Sequence, residues 1–207
     1  GTLTPLTYVD GSLRYFVNGV LQATPTPTAD APLTVPGIAV PAGGNALLIY
    51  ETRVNSFAPL DTESTVTNTA TLSGAGLTTP VQAASTVNAR AAAYLTIGKA
   101  VSPATVAENG TLTYTFTIQN YGNTAAAETD NVTVSDTFSP ILKAISVTYN
   151  GAAWTEGTQY TYNAATGAFA TTAGQITVPA ASLTRDTATG AVVVTPGIST
   201  LTVTGTV

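Results

Sequence analysis

Three polar side chains stand where an alternating strand would carry apolar ones. In YLTIGKAV (94–101), Lys99 shares its parity with Leu95, Ile97 and Val101. In NVTVSDTF (131–138), Asp136 shares its parity with Val132 and Val134. In TVTNTATL (65–72), Asn68 falls in step with Val66, Ala70 and Leu72. Side chains two apart on a strand face the same way, so all three are expected to point inward. Burying such a group unpaired costs several kcal/mol, roughly. An amine kept from water sheds its proton more readily and becomes a nucleophile. A protonated carboxyl beside it could polarise a carboxamide and shuttle protons. Attack of the amine would then expel ammonia and leave an amide cross-link, in a single turnover. A plainer reading stays open. Lys99 snorkels to a strand end, Asp136 caps the turn before Phe138-Ser139-Pro140, and Asn68 bonds to backbone.

The elements that would hold these groups are strands. LTYTFTIQN (112–120) puts Leu112, Tyr114, Phe116 and Ile118 on one face and threonines on the other. Similar alternation recurs in LRYFVNG, NALLIYETRV, ISVTYNG, AVVVT and STLTVTGTV. Valine and threonine suit a pleated surface. Asp10-Gly11, Asn18-Gly19, Gly43-Gly44, Asn109-Gly110 and Asn150-Gly151 punctuate the runs as turns. No segment carries a 3.6-residue period. The expected fold is all-β: two tandem immunoglobulin-like antiparallel sandwiches.

A weak internal repeat supports two modules. LTPLTYVDGSLRYFVNGVLQ (3–22) resembles FSPILKAISVTYNGAAWTEG (138–157), and PLTVPGIAVPAGG (32–44) resembles the stretch around QITVPAAS (175–182). GNALLIYETRV (44–54) resembles ISTLTVTGTV (198–207). The modules are expected at 1–90 and 94–207, with a joint near Asn88–Ala93. The first lacks opening strands as written and the second a closing strand. An unfinished sandwich exposes an edge that invites pairing. That edge is expected beside Ser199, Leu201, Val203 and Val207.

LTIGKAVSPATVAENGTLTYTFTIQNYGNTAAAETDNVTVSDTF (95–138) resembles the opening of a DUF11-type module, the repeat of bacterial surface proteins. TVTNTATLSG (65–74) resembles that module's closing strand. The resemblance implies immunoglobulin-like sandwiches arrayed in extracellular stalks, adhesins and fibres. It extends to fimbrial domains that form a Lys–Asn isopeptide bond beside an acidic residue. Lys99, Asp136 and Asn68 are the matching residues. Asn68 falls in the first module and Lys99 in the second, so a bond between those two within the chain is not expected, and an acceptor for Lys99 would have to come from another chain. An acceptor beyond residue 207 is the other option.

Composition narrows the function further. The 207 residues include no histidine, cysteine or methionine, and only 8% are charged, against about 25% ordinarily. That removes a Ser-His-Asp triad, thiol chemistry and the usual zinc and haem ligands. Six basic residues against eleven acidic ones leave no basic patch for nucleic acid. No apolar run reaches the eighteen residues of a membrane span. The opening GTLTPLTYVDG has neither a cationic start nor an apolar stretch. Glu128, Asp130 and Asn131 cluster without the spacing of an EF-hand. Asn109 and Asn131 fit the glycosylation sequon. Trp154, Tyr160 and Tyr162 suggest either a carbohydrate-stacking patch or core aromatics.

The expectation is a structural protein, not an enzyme, with no cofactor and no metal. It is a subunit of an extracellular cell-surface fibre whose partners are other copies of itself, joined by strand complementation. The alternative is a fragment of a multi-module stalk or adhesin that does not self-assemble. An unknown surface or carbohydrate ligand fits either.

Overall fold

The computed structural model describes residues 4–207; residues 1–3, where the expected first module begins, lie outside the described residues. Among the described residues the regular elements are β-strands, apart from one 3-10 turn at Glu128–Asp130. The protein is all-β and its sheets are antiparallel, as the Thr/Val alternation predicts.

The chain forms two compact units. The first holds the described residues up to Ala89 together with Arg185–Val193; the second holds Arg90–Thr184 and Val194–Val207. Residues 185–193 were expected in the second module but group with the first. The cause is local: Val192 N–H donates to Ser56 O at 2.7 Å. The Arg185 guanidinium also donates to Phe57 O at 3.4 Å.

The first unit is built from short pieces. Strands β1 (Leu6–Tyr8), β2 (Arg14–Val17), β3 (Val20–Leu21), β4 (Ala29–Asp30), β5 (Leu33–Thr34), β6 (Ala46–Ile49) and β7 (Thr52–Val54) form separate small sheets. Their orders are β1-β7, β3-β2-β6 and β4-β5. Leu13, Tyr15 and Ala58 are its buried apolar residues. Strands β8 (Thr65–Leu72) and β9 (Val81–Asn88) form a two-stranded ribbon, exposed along nearly all its length.

The second unit contains β10 (Leu95–Ser102), β11 (Thr111–Asn120), β12 (Ser135–Thr137), β13 (Lys143–Tyr149), β14 (Ala152–Trp154), β15 (Tyr160–Asn163) and β16 (Ala168–Thr171). Strands β17 (Ser182–Arg185) and β18 (Val192–Thr195) pair with each other, and β19 (Gly197–Thr206) ends the unit. One sheet runs β10-β11-β19-β13-β14 and another β12-β16-β15. Burial along β11 alternates residue by residue, and β19 does the same from Ser199 onward. Their inward side chains meet Phe138, Leu142, Phe169, Ile176 and Val178 in one core, in a sandwich-like arrangement. Phe138 centres an aromatic cluster, 4.8 Å from Tyr114 and 5.7 Å from Phe169 between ring centroids. Asn150 and Gly151 turn β13 into β14 with φ of 48° and 82°, the left-handed pair that Asn-Gly supplies at little cost.

The expected open edge beside 199–207 is absent. β19 lies between β11 and β13 and is paired on both sides. Ser199, Leu201 and Val203 are buried and Val207 is half-buried. The alternation assigns these residues a face. It says nothing about their neighbours, and an apolar face this regular is best buried at a sheet's centre. The outer strands of this sheet are β10 and β14.

Candidate functional site

The site forms where β10 faces β12. Among the described residues β10 pairs as a strand only with β11, with Lys99 opposite Phe116. β12 hydrogen-bonds only to β16, with Asp136 opposite Phe169. Parity turns Lys99 and Asp136 toward each other across the gap between the sheets, and their side chains form an ion pair. The ammonium also sits over the Tyr114 ring, 4.8 Å from its centroid, and 5.6 Å from those of Phe116 and Phe138. Such contacts contribute about 0.5–1 kcal/mol each at accessible sites.

The pair is not sealed. The Lys99 side chain is 42% exposed and that of Asp136 18%. This corrects the expectation of a buried lysine: β10 is an outer strand, and the Lys99 side chain on it stays in contact with solvent. The two oxygens of Asp136 are used differently. Oδ1 accepts the Thr137 N–H at 2.8 Å. Oδ2 is buried and meets the ammonium as a charge partner, but receives no directed hydrogen bond.

An open groove of about 170 Å³ runs beside the pair, lined by Leu95, Ile97, Ile118, Val132, Val134 and two threonines. Ile97 and Val101, on the Lys99 parity, are exposed large apolar residues. The amine and the groove residues Leu95, Thr96 and Ile97 therefore lie on β10, an outer strand of its sheet, with the carboxylate on β12 of the other sheet.

Asn68 is not part of this cluster. It belongs to the first unit, on β8 opposite Ser85, and its Nδ2 donates to Tyr50 Oη at 3.3 Å. Ser199 takes a structural role: its Oγ donates to Thr177 O at 2.9 Å and accepts from Asn150 Nδ2 at 3.3 Å.

The weaker sequence candidates are occupied locally. Asp130 Oδ2 accepts the Ala127 N–H at 2.8 Å, closing the 3-10 turn, and the described residues hold no cluster of three or more His, Cys, Asp or Glu. Trp154 is half-buried and stacks on Tyr149 at 4.9 Å. Tyr160 is buried, while Tyr162 Oη bonds the Leu142 backbone, so the three aromatics form no exposed patch.

One organising residue escaped the sequence reading. Asn120 is fully buried. Its Oδ1 accepts from the N–H groups of Tyr94 and Gly122, both at 2.9 Å. Its Nδ2 donates to Thr124 O at 2.8 Å and Pro179 O at 3.0 Å. All four bonds a carboxamide can make are satisfied, and they fix the chain as it enters β10. The signal was present: Asn120 continues the inward parity of Leu112 to Ile118.

Comparison of the chain with protein-family models, with curated proteins and with solved structures finds no match.

Proposed function

We propose that the chain is a structural subunit of an extracellular bacterial fibre or surface filament, in which a strand from one copy adds to the open edge of β10 in the next. The observation that carries this reading is that edge. Among the described residues the eight of β10 have a partner on one side only, carry exposed Ile97 and Val101, and border an apolar groove. Long unpaired apolar edges are sites of strand addition unless they are blocked, and Lys99, the one charge on β10, is drawn inward by Asp136. Donor and acceptor patches differ, so the contact is heterologous and propagates as a filament. The DUF11-like stretch at 95–138 supports immunoglobulin-like modules and a cell-surface setting.

A Lys–Asn isopeptide bond would lock the joint. An added strand excludes water from the ion pair, and the Lys99 ammonium passes a proton to the Asp136 carboxylate. The free amine attacks the carboxamide carbon of an asparagine on the added strand. A C–N bond forms, the bond to the amide nitrogen breaks, and that nitrogen collects the displaced protons and leaves as ammonium. Asp136 ends as it began. The aromatic rings and the carboxyl hold the amine; no turnover follows.

The test is concentration-dependent assembly, followed by light scattering and electron microscopy. Purified chains are expected to form filaments, and Ile97→Lys, which places a charge on the edge, to leave folded monomers. Locked joints would appear as ladders that survive SDS, with one ammonia lost per bond in the intact mass. Wild-type chains that stay monomeric at high concentration overturn the proposal and favour a stalk module without self-assembly.

A further inference from the structure

We infer that the strand accepted by β10 is β8 of a second copy, lying antiparallel with Asn68 opposite Lys99. This rests on the proposal that β10 is an accepting edge, and adds which segment fills it. Among the described residues β8 is paired only to β9, which leaves its other edge without a strand partner there, and the ribbon is exposed along both strands. β8 and β10 are each eight residues long. With Asn68 opposite Lys99, antiparallel pairing sets Thr65 against Ser102 and Leu72 against Leu95, so the strand ends coincide.

Every rung of that register is compatible. On one face Leu95 meets Leu72, Ile97 meets Ala70 and Val101 meets Val66. On the other, Thr96, Gly98, Ala100 and Ser102 meet Thr71, Thr69, Thr67 and Thr65. A slip of one residue would turn threonines into the groove and the apolar side chains outward. β8 carries no charge, so nothing on it repels Lys99 or Asp136. Asn68 Nδ2 makes one long bond, 3.3 Å to Tyr50 Oη.

The donor must be a different molecule. Asn88 pairs with Thr65, so in this register it sits at the Ser102 end, two strands from β10. Leu95 would be seven residues away along the sheet, about 24 Å, and two strand spacings across, about 10 Å. That is ~26 Å in a straight line. The seven steps from Asn88 to Leu95 reach at most ~25 Å, without allowing for a path around β8.

The chain has no cysteine, which makes the register directly readable. Ala70→Cys and Ile97→Cys are purified as separate full-length chains, mixed and mildly oxidised. Opposed residues have Cα atoms ~4.5–5.5 Å apart, within disulfide reach. The expected result is a disulfide-linked heterodimer. Ala70→Cys mixed with Val101→Cys, about 14 Å out of register, is expected to lose it. Equal yields from both mixtures, Ala70→Cys homodimers exceeding heterodimers, or a monomeric disulfide in a chain that carries both Ala70→Cys and Ile97→Cys would each overturn the inference. Wild-type filaments without the 70–97 cross-link would sink the β8 assignment while sparing the accepting edge. Wild-type chains that never associate would sink both.

Discussion

The two units use the same strand vocabulary and differ in what it buries. In the second unit, β11 and β19 place Leu112, Phe116, Ile118, Leu201 and Val203 in a continuous core. In the first, the longest strands, β8 and β9, bury no side chain fully, and the core is Leu13, Tyr15 and Ala58. TVTNTATL alternates as faithfully as LTYTFTIQN. Alternation is thus a capacity to be buried, realised only when a second layer is present. A chain with one filled sandwich-like unit and one exposed ribbon holds its unused capacity on the surface.

The largest effect that would sharpen this contrast is in the filled core. Phe138→Ala removes the ring at the centre of the aromatic cluster and is expected to cost about 3–5 kcal/mol. Trp154, the only tryptophan, reports on that unit, so denaturation followed by its fluorescence measures the loss. Leu13→Ala, in the sparse core, is expected to leave the Trp154 transition in place and to weaken only the remaining circular-dichroism signal. Equal shifts of the Trp154 transition by both variants would break the contrast.

A smaller effect separates the units by pH. Burial pushes the Tyr149 phenol up, and its hydroxyl donates to Thr177 O at 2.6 Å, a bond only the neutral form makes. Burial, with Glu156 nearby, raises Tyr160 too. The stability from the neutral phenols is complete below the ordinary tyrosine value, ~10, and drains as pH rises through the higher folded value. Asp186, grouped with the first unit, runs the other way. The Thr189 hydroxyl and N–H hold its carboxyl low, so its contribution is present above the ordinary carboxylate range and fades as pH falls below it. Denaturation midpoints across pH should show the Trp154 transition weakening in alkali, with Tyr149→Phe removing part of that loss. An alkaline midpoint unchanged from neutral would count against it.

The smallest effect concerns the ion pair. With Lys99 well exposed, Asp136→Asn is expected to cost no more than about 1 kcal/mol in the isolated subunit, read from the same transition. A loss of several kcal/mol would mean that the pair is already sealed.

Much of the local structure was legible. Alternation in 112–120 matched β11, the Asn18-Gly19 and Asn150-Gly151 signals became left-handed hairpin turns, and parity brought Lys99 and Asp136 together. What failed was non-local. NALLIYETRV reads as one strand but breaks between β6 and β7, where Ser12 Oγ accepts the Glu51 N–H. STLTVTGTV reads as bordering an open edge from the alignment of the internal repeat, yet it sits mid-sheet, since periodicity fixes a face and never a neighbour. Exposure of Lys99 followed from the same gap in information.

The strand order has a mechanical consequence. β10 and β19 both run antiparallel to β11, so Leu95, Asn120 and Gly197 share one end of the sheet, and Thr113 and Thr204 share the other with Ser102. A tug on Leu95 and an opposing tug on Thr206 would slide β10 and β19 past β11 lengthwise in opposite directions. The rungs would then bear the load together instead of unzipping in turn.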